Sequence, residues 1–193
     1  MHIIKSIYYS FITKSKTVIF SNTRFICKNK KGLTVKTQFQ IGKKWNKSEN
    51  MPTSVFIGNK ATVNVESVKI YNGCKITIKK GSNFVFKSGY LNCNSQINCK
   101  NSIIIGEECA IANNVIIRDN NSHSLNGNKD DKTVEIGNHV WIGAGVIILP
   151  GAKIGDNCVI AAGSIVNKEY SSNCLIGGNP AKIIKQDIKW NNF

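Results

Sequence analysis

The sequence predicts an all-β solenoid, in which the chain winds into stacked coils, and two repeating columns of residues predict it. An aliphatic residue recurs every six positions, and the residue after it is usually very small. The aliphatic column contains Ile105, Ile111, Ile117, Ile136, Ile142, Ile148, Ile154, Ile160 and Val166. The small residues that follow include Gly106, Ala112, Gly137, Gly143, Gly155 and Ala161.

A six-residue period fits neither a helix nor an ordinary strand. A helix returns to the same face about every 3.6 residues and a strand at every second residue. A chain that runs straight for a few residues and then turns a corner does repeat in this way, and the small residue fits at the corner. Three such faces make a coil of about eighteen residues, and stacked coils pair as parallel strands around an aliphatic column.

The regularity of the repeat divides the chain into three parts. The pattern is clear from residue 105 and recognisable, with slips, from residue 55, so we expect the β-helical domain at 55–178. Residues 1–54 fit poorly and are expected to be an N-terminal capping segment, because an open stack of strands would pair with another chain. Residues 179–193 contain AKIIKQDIKWNNF, whose spacing predicts a short C-terminal helix.

Charge and cysteine content limit the partners and the compartment. Twenty-six Lys and Arg against eleven Asp and Glu give a formal net charge of +15, which attracts polyanions. The basic residues are spread along the chain, which argues against nucleic acid. The seven cysteines form no Cys-x-x-Cys pair, and several occupy small apolar positions of the repeat. We therefore expect reduced core thiols, a cytoplasmic location and no metal.

The first twenty residues, MHIIKSIYYSFITKSKTVIF, leave two interpretations open. They are apolar, but Lys5, Lys14 and Lys16 interrupt them and no small-residue cleavage site follows. The segment is too short and too charged to span a bilayer. It is either a helix or strand docked on the domain, or a segment that makes a peripheral contact with the inner face of the membrane.

One loop interrupts the regular repeat. Ile117 and Ile136 are nineteen residues apart where one repeat would take six, so about thirteen residues leave the stack within 118–134. This loop holds His123, one of three histidines in the chain. A histidine at a loop tip is often merely solvated, but imidazole is also well suited to act as a general base near neutral pH.

The repeats resemble those of the hexapeptide-repeat acyltransferases, which fold as left-handed parallel β-helices. The run from Val134 to Lys185, which ends in GGNPAKIIK, is similar to sugar O-acetyltransferases such as the maltose and galactoside enzymes and many capsule and lipopolysaccharide enzymes. The resemblance implies a homotrimer, an active site between neighbouring subunits, and acetyl-coenzyme A as the donor. It also implies direct acetyl transfer without a covalent enzyme intermediate.

The same resemblance assigns roles to five residues. It makes His123 the general base and gives the backbone N–H of Ala144 the oxyanion of the transition state. Asn92 matches an asparagine that contacts the acceptor sugar, although a corner asparagine also satisfies its own turn. Trp141 matches a tryptophan that lines the cleft near the thioester. Asp119 either orients His123 or binds substrate, or is a solvated loop carboxylate.

The resemblance also suggests where coenzyme A binds. Residues along the coils would accommodate the pantetheine arm: Trp141, Gly143, Ala144, Ala161, Ala162 and Gly163. Lys168 and either Lys182 or Lys185 would meet the phosphates, and Pro180 the adenine ring.

We therefore predict an acetyl-coenzyme A-dependent O-acetyltransferase that modifies a sugar hydroxyl. The basic charge favours an anionic acceptor in a cell-surface polysaccharide, such as capsule, lipopolysaccharide or a sialic acid polymer, or its precursor. A same-fold enzyme acting on serine or an antibiotic is one alternative, and a non-catalytic scaffold or polyanion-binding protein is another. A zinc enzyme of the γ-carbonic anhydrase kind needs three histidines, which His123 and His139 do not supply alone. A nucleophilic Cys93 or Cys99 is disfavoured by its core position.

Overall fold

The structure is a computed structural model that describes residues 1–46, 50–125, 128–129 and 131–191. Within these ranges, one helix, α1 (Ile3–Thr13), precedes a long series of short strands, and a 3₁₀ turn spans Lys30–Gly32. The strands are β1 (Lys16–Ile19), β2 (Thr23–Cys27), β3 (Leu33–Lys43), β4 (Thr53–Ile57), β5 (Thr62–Tyr71), β6 (Lys75–Ile78), β7 (Asn83–Leu91), β8 (Gln96–Cys99), β9 (Ser102–Ile105), β10 (Cys109–Ile111), β11 (Ile116–Arg118), β12 (Ser124–Leu125), β13 (Asn128–Lys129), β14 (Val134–Ile136), β15 (Trp141–Ile142), β16 (Ile147–Ile148), β17 (Lys153–Ile154), β18 (Val159–Ile160), β19 (Ile165–Val166), β20 (Glu169–Tyr170), β21 (Leu175–Gly178) and β22 (Ala181–Lys185).

These strands form the three faces of a prism. The first face runs through the first halves of β3, β5 and β7 and continues with β9, β14, β17 and β20. The second face consists of β1, the second halves of β3, β5 and β7, and then β10, β15, β18 and β21. The third face stacks β2, β4, β6, β8, β11, β16 and β19. All of these pairings are parallel, which confirms the predicted solenoid of three-sided coils.

The predicted aliphatic column lies in the core of the prism. Ile105, Ile136 and Ile154 pair in register on the first face, and each is at most 3% exposed. The equivalent residues on the second and third faces are paired and buried in the same way. Full burial of such a side chain contributes about 1.5–3 kcal/mol, so the column is the main source of stability.

Close stacking of the coils explains a small residue at a corner. A Cβ atom on Gly143 would lie 2.7 Å from the backbone nitrogen of Ala162 and 2.8 Å from the carbonyl oxygen of Ile160. Both distances are shorter than van der Waals contact and both neighbours are backbone atoms. The stacking of the coils therefore requires a glycine at position 143, independently of any binding of coenzyme A.

The parallel stack begins earlier than the sequence predicted. Strand β1 pairs with β3 and strand β2 pairs with β4, so strands within the predicted capping segment already contribute coils. The expected cap over 1–54 is therefore wrong in this part, and only α1 precedes the first strand. The six-residue pattern is blurred here because β3 and β5 are long strands that bend across two faces.

The predicted C-terminal helix is wrong. The segment AKIIK forms strand β22, which pairs antiparallel with β21 at the edge of the last coil. The hydroxyl of Tyr170 also donates a hydrogen bond to the carbonyl oxygen of Ala181 (2.8 Å). The edge strand of a sheet leaves a row of backbone groups unpaired, and this pairing outweighs the helical spacing of the tail. No helix in the described ranges has the length and apolar character needed to cross a bilayer.

The seven cysteines are all free and buried, and they include the four that the repeat places in the core: Cys93, Cys99, Cys109 and Cys158. Burial raises the pKa of Cys99 to about 12, so its thiolate is nearly absent at neutral pH. Because the thiolate is the reactive form, this argues against Cys99 as a nucleophile. The thiol of Cys93 contacts the side-chain oxygen of Asn72 (3.1 Å) in the interior.

These thiols predict a loss of stability at alkaline pH. Burial raises the pKa of Cys74 to about 12 and that of Cys109 to about 11, from an ordinary value of 9.0. Between pH 9 and those values the unfolded chain releases protons that the folded chain retains, so the free energy of unfolding falls as the pH rises. Each thiol contributes up to about 1.4 kcal/mol per pH unit in this window.

Urea denaturation at a series of pH values measures this effect. We expect a shallower decline above the ordinary cysteine pKa in Cys99→Ala, because that variant lacks one of the ionising groups. A wild-type stability that stays level well into the alkaline range would contradict the prediction.

Candidate functional site

The interruption of the repeat lies between β11 and β14, at the corner that joins the third face to the first. The backbone N–H of Lys132 donates to the carbonyl oxygen of Asp119 (3.0 Å), which closes the base of the loop. Lys100 from the preceding coil pairs with Asp131 at 3.0 Å. Within the loop, β12 and β13 form a short antiparallel pair. The segment is thus a protrusion with a fixed base.

Asp119 forms the centre of that base. Its carboxylate is fully buried and accepts hydrogen bonds from the backbone N–H groups of Lys100 (2.8 Å) and Asn101 (2.7 Å) and from the side-chain amide of Asn120 (2.9 Å). This burial contradicts the solvated carboxylate and the substrate-binding role considered from the sequence. The expectation that Asp119 orients His123 is also wrong in this structure, because none of these hydrogen bonds involves His123.

His123 lies four residues beyond Asp119 and directly before β12. It is exposed, and its side chain makes no hydrogen bond to any described residue. The residue before it, Ser122, adopts a positive φ of 63° and donates from its hydroxyl to the side-chain oxygen of Asn120 (3.0 Å). The loop therefore presents an imidazole to solvent from a base that is anchored by buried polar groups.

Most of the proposed coenzyme A residues lie along a different corner, between the second and third faces. The strand register aligns Asn92, Gly143 and Ala161 after β7, β15 and β18 respectively. Ala144, Ala162 and Gly163 follow in the same turns and are partly or fully exposed. We call this set the Ala144 corner: Asn92, Gly143, Ala144, Ala161, Ala162 and Gly163.

The backbone N–H of Ala144 is available as a donor. It makes no hydrogen bond to any described residue, whereas the carbonyl of Ala144 accepts from Gly163 N–H (2.9 Å). The N–H groups of Asn113 and Ala162, at the equivalent place in the neighbouring coils, are likewise unused within the described chain. The corner thus carries a column of outward donors, and the column alone does not single out Ala144.

Asn92 is held by its own turn. Its side-chain oxygen accepts a hydrogen bond from the backbone N–H of Cys93 (2.7 Å). Its backbone N–H donates to Ile111 in the next coil. These contacts match the alternative in which a corner asparagine satisfies its own turn.

The remaining predicted residues are distributed more widely. Lys182 pairs with Gly177 in β21, beside the Ala144 corner, and Lys185 pairs with Leu175 at the other end of that strand. Both lysines and Pro180 are exposed. Lys168 follows β19 at the loop corner, where its ammonium lies 5.8 Å from the ring centre of Tyr170. Lys168 is therefore separated within one chain from the other coenzyme A candidates.

Trp141 lies on the outer surface of the second face and is 46% exposed. It lines an open groove of about 480 Å³ whose other lining residues were not predicted from the sequence. They are Trp45, Lys69, Tyr71, Tyr90, Ala110, Trp190 and Asn191. We call this site the aromatic groove.

The strand register builds the aromatic groove. Tyr90, Ala110 and Trp141 occupy successive coils in register, so the small Ala110 forms the floor between two rings. Trp45 packs edge-to-face on Tyr71 with ring centres 4.9 Å apart. The insertion at 118–134 lies between Ala110 and Trp141, so a regular spacing along the sequence does not link these aromatic residues.

The C-terminal tail supplies the far wall of the groove. The chain turns back along the stack, where Trp190 stacks on His139 with ring centres 4.0 Å apart and nearly parallel planes. The Trp190 indole N–H donates to the carbonyl oxygen of His139 (3.0 Å). His139 is therefore partly buried under this ring.

Comparison with known families identifies the repeat. The model of the bacterial transferase hexapeptide (six repeats) matches residues 133–168, and the hexapeptide repeat of succinyl-transferase matches residues 93–118. The chain therefore contains hexapeptide repeats at residues 93–118 and 133–168. The first match covers the coils that carry Trp141 and Ala144, and the second covers the coil that leads into the loop.

Relatives of the chain include named sugar O-acetyltransferases. Galactoside O-acetyltransferase of Escherichia coli (strain K12) is 39% identical over 112 residues, which are 55% of each chain. The putative lipopolysaccharide biosynthesis O-acetyl transferase WbbJ of the same strain is 34% identical over 122 residues, 55% of this chain and 62% of WbbJ. The chain thus spans about half the length of the curated relatives it matches.

Two solved structures are similar over nearly the whole chain. The polySia specific acetyltransferase NeuO has a TM-score of 0.58 and 27% identity and covers 93% of this chain and 89% of its own. The polysialic acid O-acetyltransferase OatWY has a TM-score of 0.55 and 26% identity, with 93% and 88% covered. The similarity includes the coils before residue 55.

Proposed function

We propose that the protein is a cytoplasmic O-acetyltransferase that uses acetyl-coenzyme A to acetylate a sugar hydroxyl of a cell-surface polysaccharide or its precursor. One observation carries this proposal. A solenoid similar to named sugar O-acetyltransferases extrudes an anchored loop, and that loop holds an exposed imidazole, at His123. A non-catalytic scaffold would have no need for such a rigid loop base.

In this mechanism His123 acts as the general base. Its imidazole takes the proton of the acceptor hydroxyl while that oxygen attacks the thioester carbonyl carbon. When the tetrahedral intermediate collapses, the carbon–sulfur bond breaks and the imidazolium returns the proton to the departing thiolate. The products are the acetylated sugar and coenzyme A, and no bond to the enzyme forms.

The Ala144 corner would stabilise the negative charge that develops on the carbonyl oxygen. The unused backbone N–H of Ala144 is a fixed donor that requires no rearrangement during the reaction, and such a donor contributes about 3 kcal/mol when well aligned. The exposed Ala162 and Gly163 leave room for the pantetheine arm. Lys182 and Pro180 are close enough in the fold to extend this binding surface toward the phosphates and the adenine.

A homotrimer would bring the two halves of this site together. His123 and Ala144 lie at different corners of one prism, so a single chain separates the base from the oxyanion donor. A neighbouring subunit that places its Ala144 corner against the loop corner completes the site, and a three-fold axis repeats the arrangement three times. Lys168 then lies with His123 on the same side of the shared cleft. We propose that this assembly uses left-handed β-helices, as the resemblance implies.

An unpaired buried atom at the loop corner supports such a contact. The side-chain oxygen of Asn98 is buried and has no hydrogen-bond partner within the described chain. Asn98 pairs in register with Arg118, the last residue before the loop. Buried acceptors are rarely left unpaired, so a donor from a neighbouring subunit or from the acceptor would satisfy it.

The aromatic groove would hold the acceptor. Flat exposed rings pack against the apolar faces of sugars, and Lys69 adds a positive charge among lining residues that include no Asp or Glu. Adjacent coils are about 4.8 Å apart. The coil of Tyr71 and the coil of Trp141 are three steps apart, so the groove is about 14 Å long. That length accommodates more than one sugar unit, which favours an anionic oligomer or polymer over a monosaccharide.

Release of free thiol from acetyl-coenzyme A tests the function. Neutral and acidic monosaccharides, oligosaccharides of increasing length and polysialic acid would be compared as acceptors. Acceptor-dependent release, followed by detection of the O-acetyl ester by mass spectrometry, is the expected result. Absence of both coenzyme A binding and thiol release with every acceptor would contradict the proposal.

Variants of the groove test the acceptor site. We expect Tyr90→Ala to raise the KM for long acceptors about tenfold, equivalent to about 1.4 kcal/mol, because one stacking ring is lost. The KM for acetyl-coenzyme A and the activity on the shortest acceptor should change little. Gln40→Ala is the matched control, since Gln40 occupies the same outer row two coils away and does not line the groove. Equal effects of both variants would contradict the assignment.

A further inference from the structure

Helix α1 is amphipathic, but its orientation is the reverse of the usual one. A surface helix normally turns its apolar side to the core and its polar side to water. In α1 the small polar residues Ser6, Ser10 and Thr13 face the first coil, together with Tyr9, which is buried against Phe25. Most of the other large apolar residues face outward and are exposed: Ile3, Ile4, Ile7, Tyr8 and Phe11.

Two of the inward hydroxyls accept hydrogen bonds from the backbone of the first coil. The backbone N–H of Ile19 donates to the Ser6 hydroxyl (3.0 Å), and the N–H of Thr17 donates to the Ser10 hydroxyl (2.9 Å). These two N–H groups belong to β1, the edge strand of the second face. The polar side of α1 thus satisfies the backbone of the first coil, which fixes the helix in the reversed orientation.

The outward side is continuous and strongly exposed. Ile4 is 85% exposed, Ile7 66% and Phe11 84%. Spacings of three, four and seven residues put these side chains on one side of the helix, with Ile3 and Tyr8 at its borders. A patch of this kind on a soluble domain marks a binding surface, since scattered single residues would be the norm.

The surroundings of the patch are basic. The first 48 residues of the sequence contain eleven Lys and Arg and no Asp or Glu. Lys5 lies within α1 and Lys14 ends it, while Lys30 contacts the ring of Tyr8 with its ammonium 4.9 Å from the ring centre. A protein partner covering this patch would have to be acidic around an apolar centre, and an anionic bilayer has that combination over a wide area.

Two concavities flank the helix and carry the same charge. One, of about 430 Å³, is lined by residues that include Lys14, Lys30 and Lys31. The other, of about 550 Å³, is lined by residues that include Lys5 and Arg24. Neither lining includes an Asp or Glu, so both suit a phosphate-bearing headgroup beside the apolar patch.

We propose that α1 docks the protein on an anionic lipid surface. The side formed by Ile4, Ile7 and Phe11 enters the boundary between headgroups and acyl chains, and the lysines on both flanks contact lipid phosphates. The helix lies in the plane of the membrane and does not cross it. In the proposed homotrimer, three copies of α1 would lie at one level along the three-fold axis, which multiplies a weak single contact.

Vesicle co-sedimentation of the full chain tests this proposal without acetyl-coenzyme A or acceptor. Vesicles of phosphatidylcholine alone are compared with vesicles that also contain phosphatidylglycerol, at low and high salt. The variant Ile4→Gln/Phe11→Gln removes apolar contact while keeping a good helix former at exposed positions. Ile7→Gln and Ile184→Gln form a matched pair, because these isoleucines are 66% and 62% exposed and lie in different parts of the fold.

We expect the wild type to bind the anionic vesicles and to bind phosphatidylcholine much more weakly. The double variant should lose about a hundredfold in partition coefficient, and Ile7→Gln about tenfold, because each side chain would otherwise be buried in lipid. Ile184→Gln should bind like the wild type. Thermal unfolding of the variants close to that of the wild type would exclude misfolding as the cause.

Three results would overturn the proposal. Wild-type protein that stays in the supernatant with anionic vesicles is the first. Binding that depends on salt but is unchanged in the double variant is the second, since charge alone would then explain it. The third is self-association of the wild type by light scattering, abolished in the double variant without vesicle binding, which would assign α1 to a second copy of the chain. Each of these results can occur while acetyl transfer is intact. Failure of the membrane-docking proposal can therefore be distinguished from failure of the proposed acetyltransferase function.

Discussion

Replacement of His123 by alanine is expected to lower kcat for acetyl transfer by about 10²–10⁴, the usual contribution of a positioned general base. The proton of the sugar hydroxyl would then have to leave to water, which is a poor base. Because His123 is exposed and makes no hydrogen bond to any described residue, its removal should leave the fold unchanged. Thiol release under saturating acetyl-coenzyme A measures the loss.

The matched control for this prediction is His2→Ala. His2 precedes α1 at the far end of the stack. Its backbone forms hydrogen bonds with Ser6 and Ile19, and its imidazole forms none with a described residue. With soluble acceptors this variant should retain the wild-type rate. Normal thermal unfolding in both variants would show that the comparison concerns chemistry. A His123→Ala enzyme with a wild-type rate would refute the assignment of the base and leave the loop without a catalytic role.

Replacement of Asp119 by alanine is expected to have the largest effect on stability of any polar substitution in the loop. It would remove the acceptor of three donors: the N–H groups of Lys100 and Asn101 and the amide of Asn120. Leaving a buried donor unpaired costs about 1–3 kcal/mol, so we expect a combined loss of about 3–5 kcal/mol in the free energy of unfolding. The rate should fall as well, because the segment that carries His123 loses its anchored base.

Asp131→Ala provides the control within the same loop. Asp131 pairs with Lys100 at 3.0 Å, but both side chains are partly exposed, so the pair is expected to contribute about 0–1 kcal/mol. Urea denaturation of both variants separates the two contributions. Equal losses in the two variants would mean that the buried carboxylate does not hold the base of the loop. A large loss of stability in Asp119→Ala without a change in kcat would separate the loop base from catalysis.

Periodicity made the regular part of the fold predictable. Ile136, Ile142 and Ile148 lie on three different faces and all point into the core. A six-residue spacing predicts this arrangement directly. The failures came where tertiary pairing overrode local pattern. Residues in the long strand β3 blur the period because the strand bends across two faces. AKIIK became strand β22 because the edge of β21 offered backbone partners that an isolated helix lacks.

The candidate site divides in the same way. The loop and its histidine were visible as a break in a repeat, since a solenoid tolerates an insertion only where the chain leaves the stack. The burial of Asp119 was not visible, because the N–H groups that hold it come from Lys100 and Asn101, one coil earlier. The aromatic groove was also hidden, since its rings come from segments far apart in the chain, among them Trp45 and Trp190.

By itself, then, the sequence determined the coil, its aliphatic column, the buried thiols and the position of the loop. All four depend on residues within one or two repeats of each other, where spacing along the chain fixes spacing in the structure. Only the tertiary structure decided how the two ends of the stack are paired, which loop carboxylate is an anchor, and that α1 turns its apolar side outward. Those features depend on which backbone groups an edge strand leaves unpaired, and that is known only once the coils are stacked.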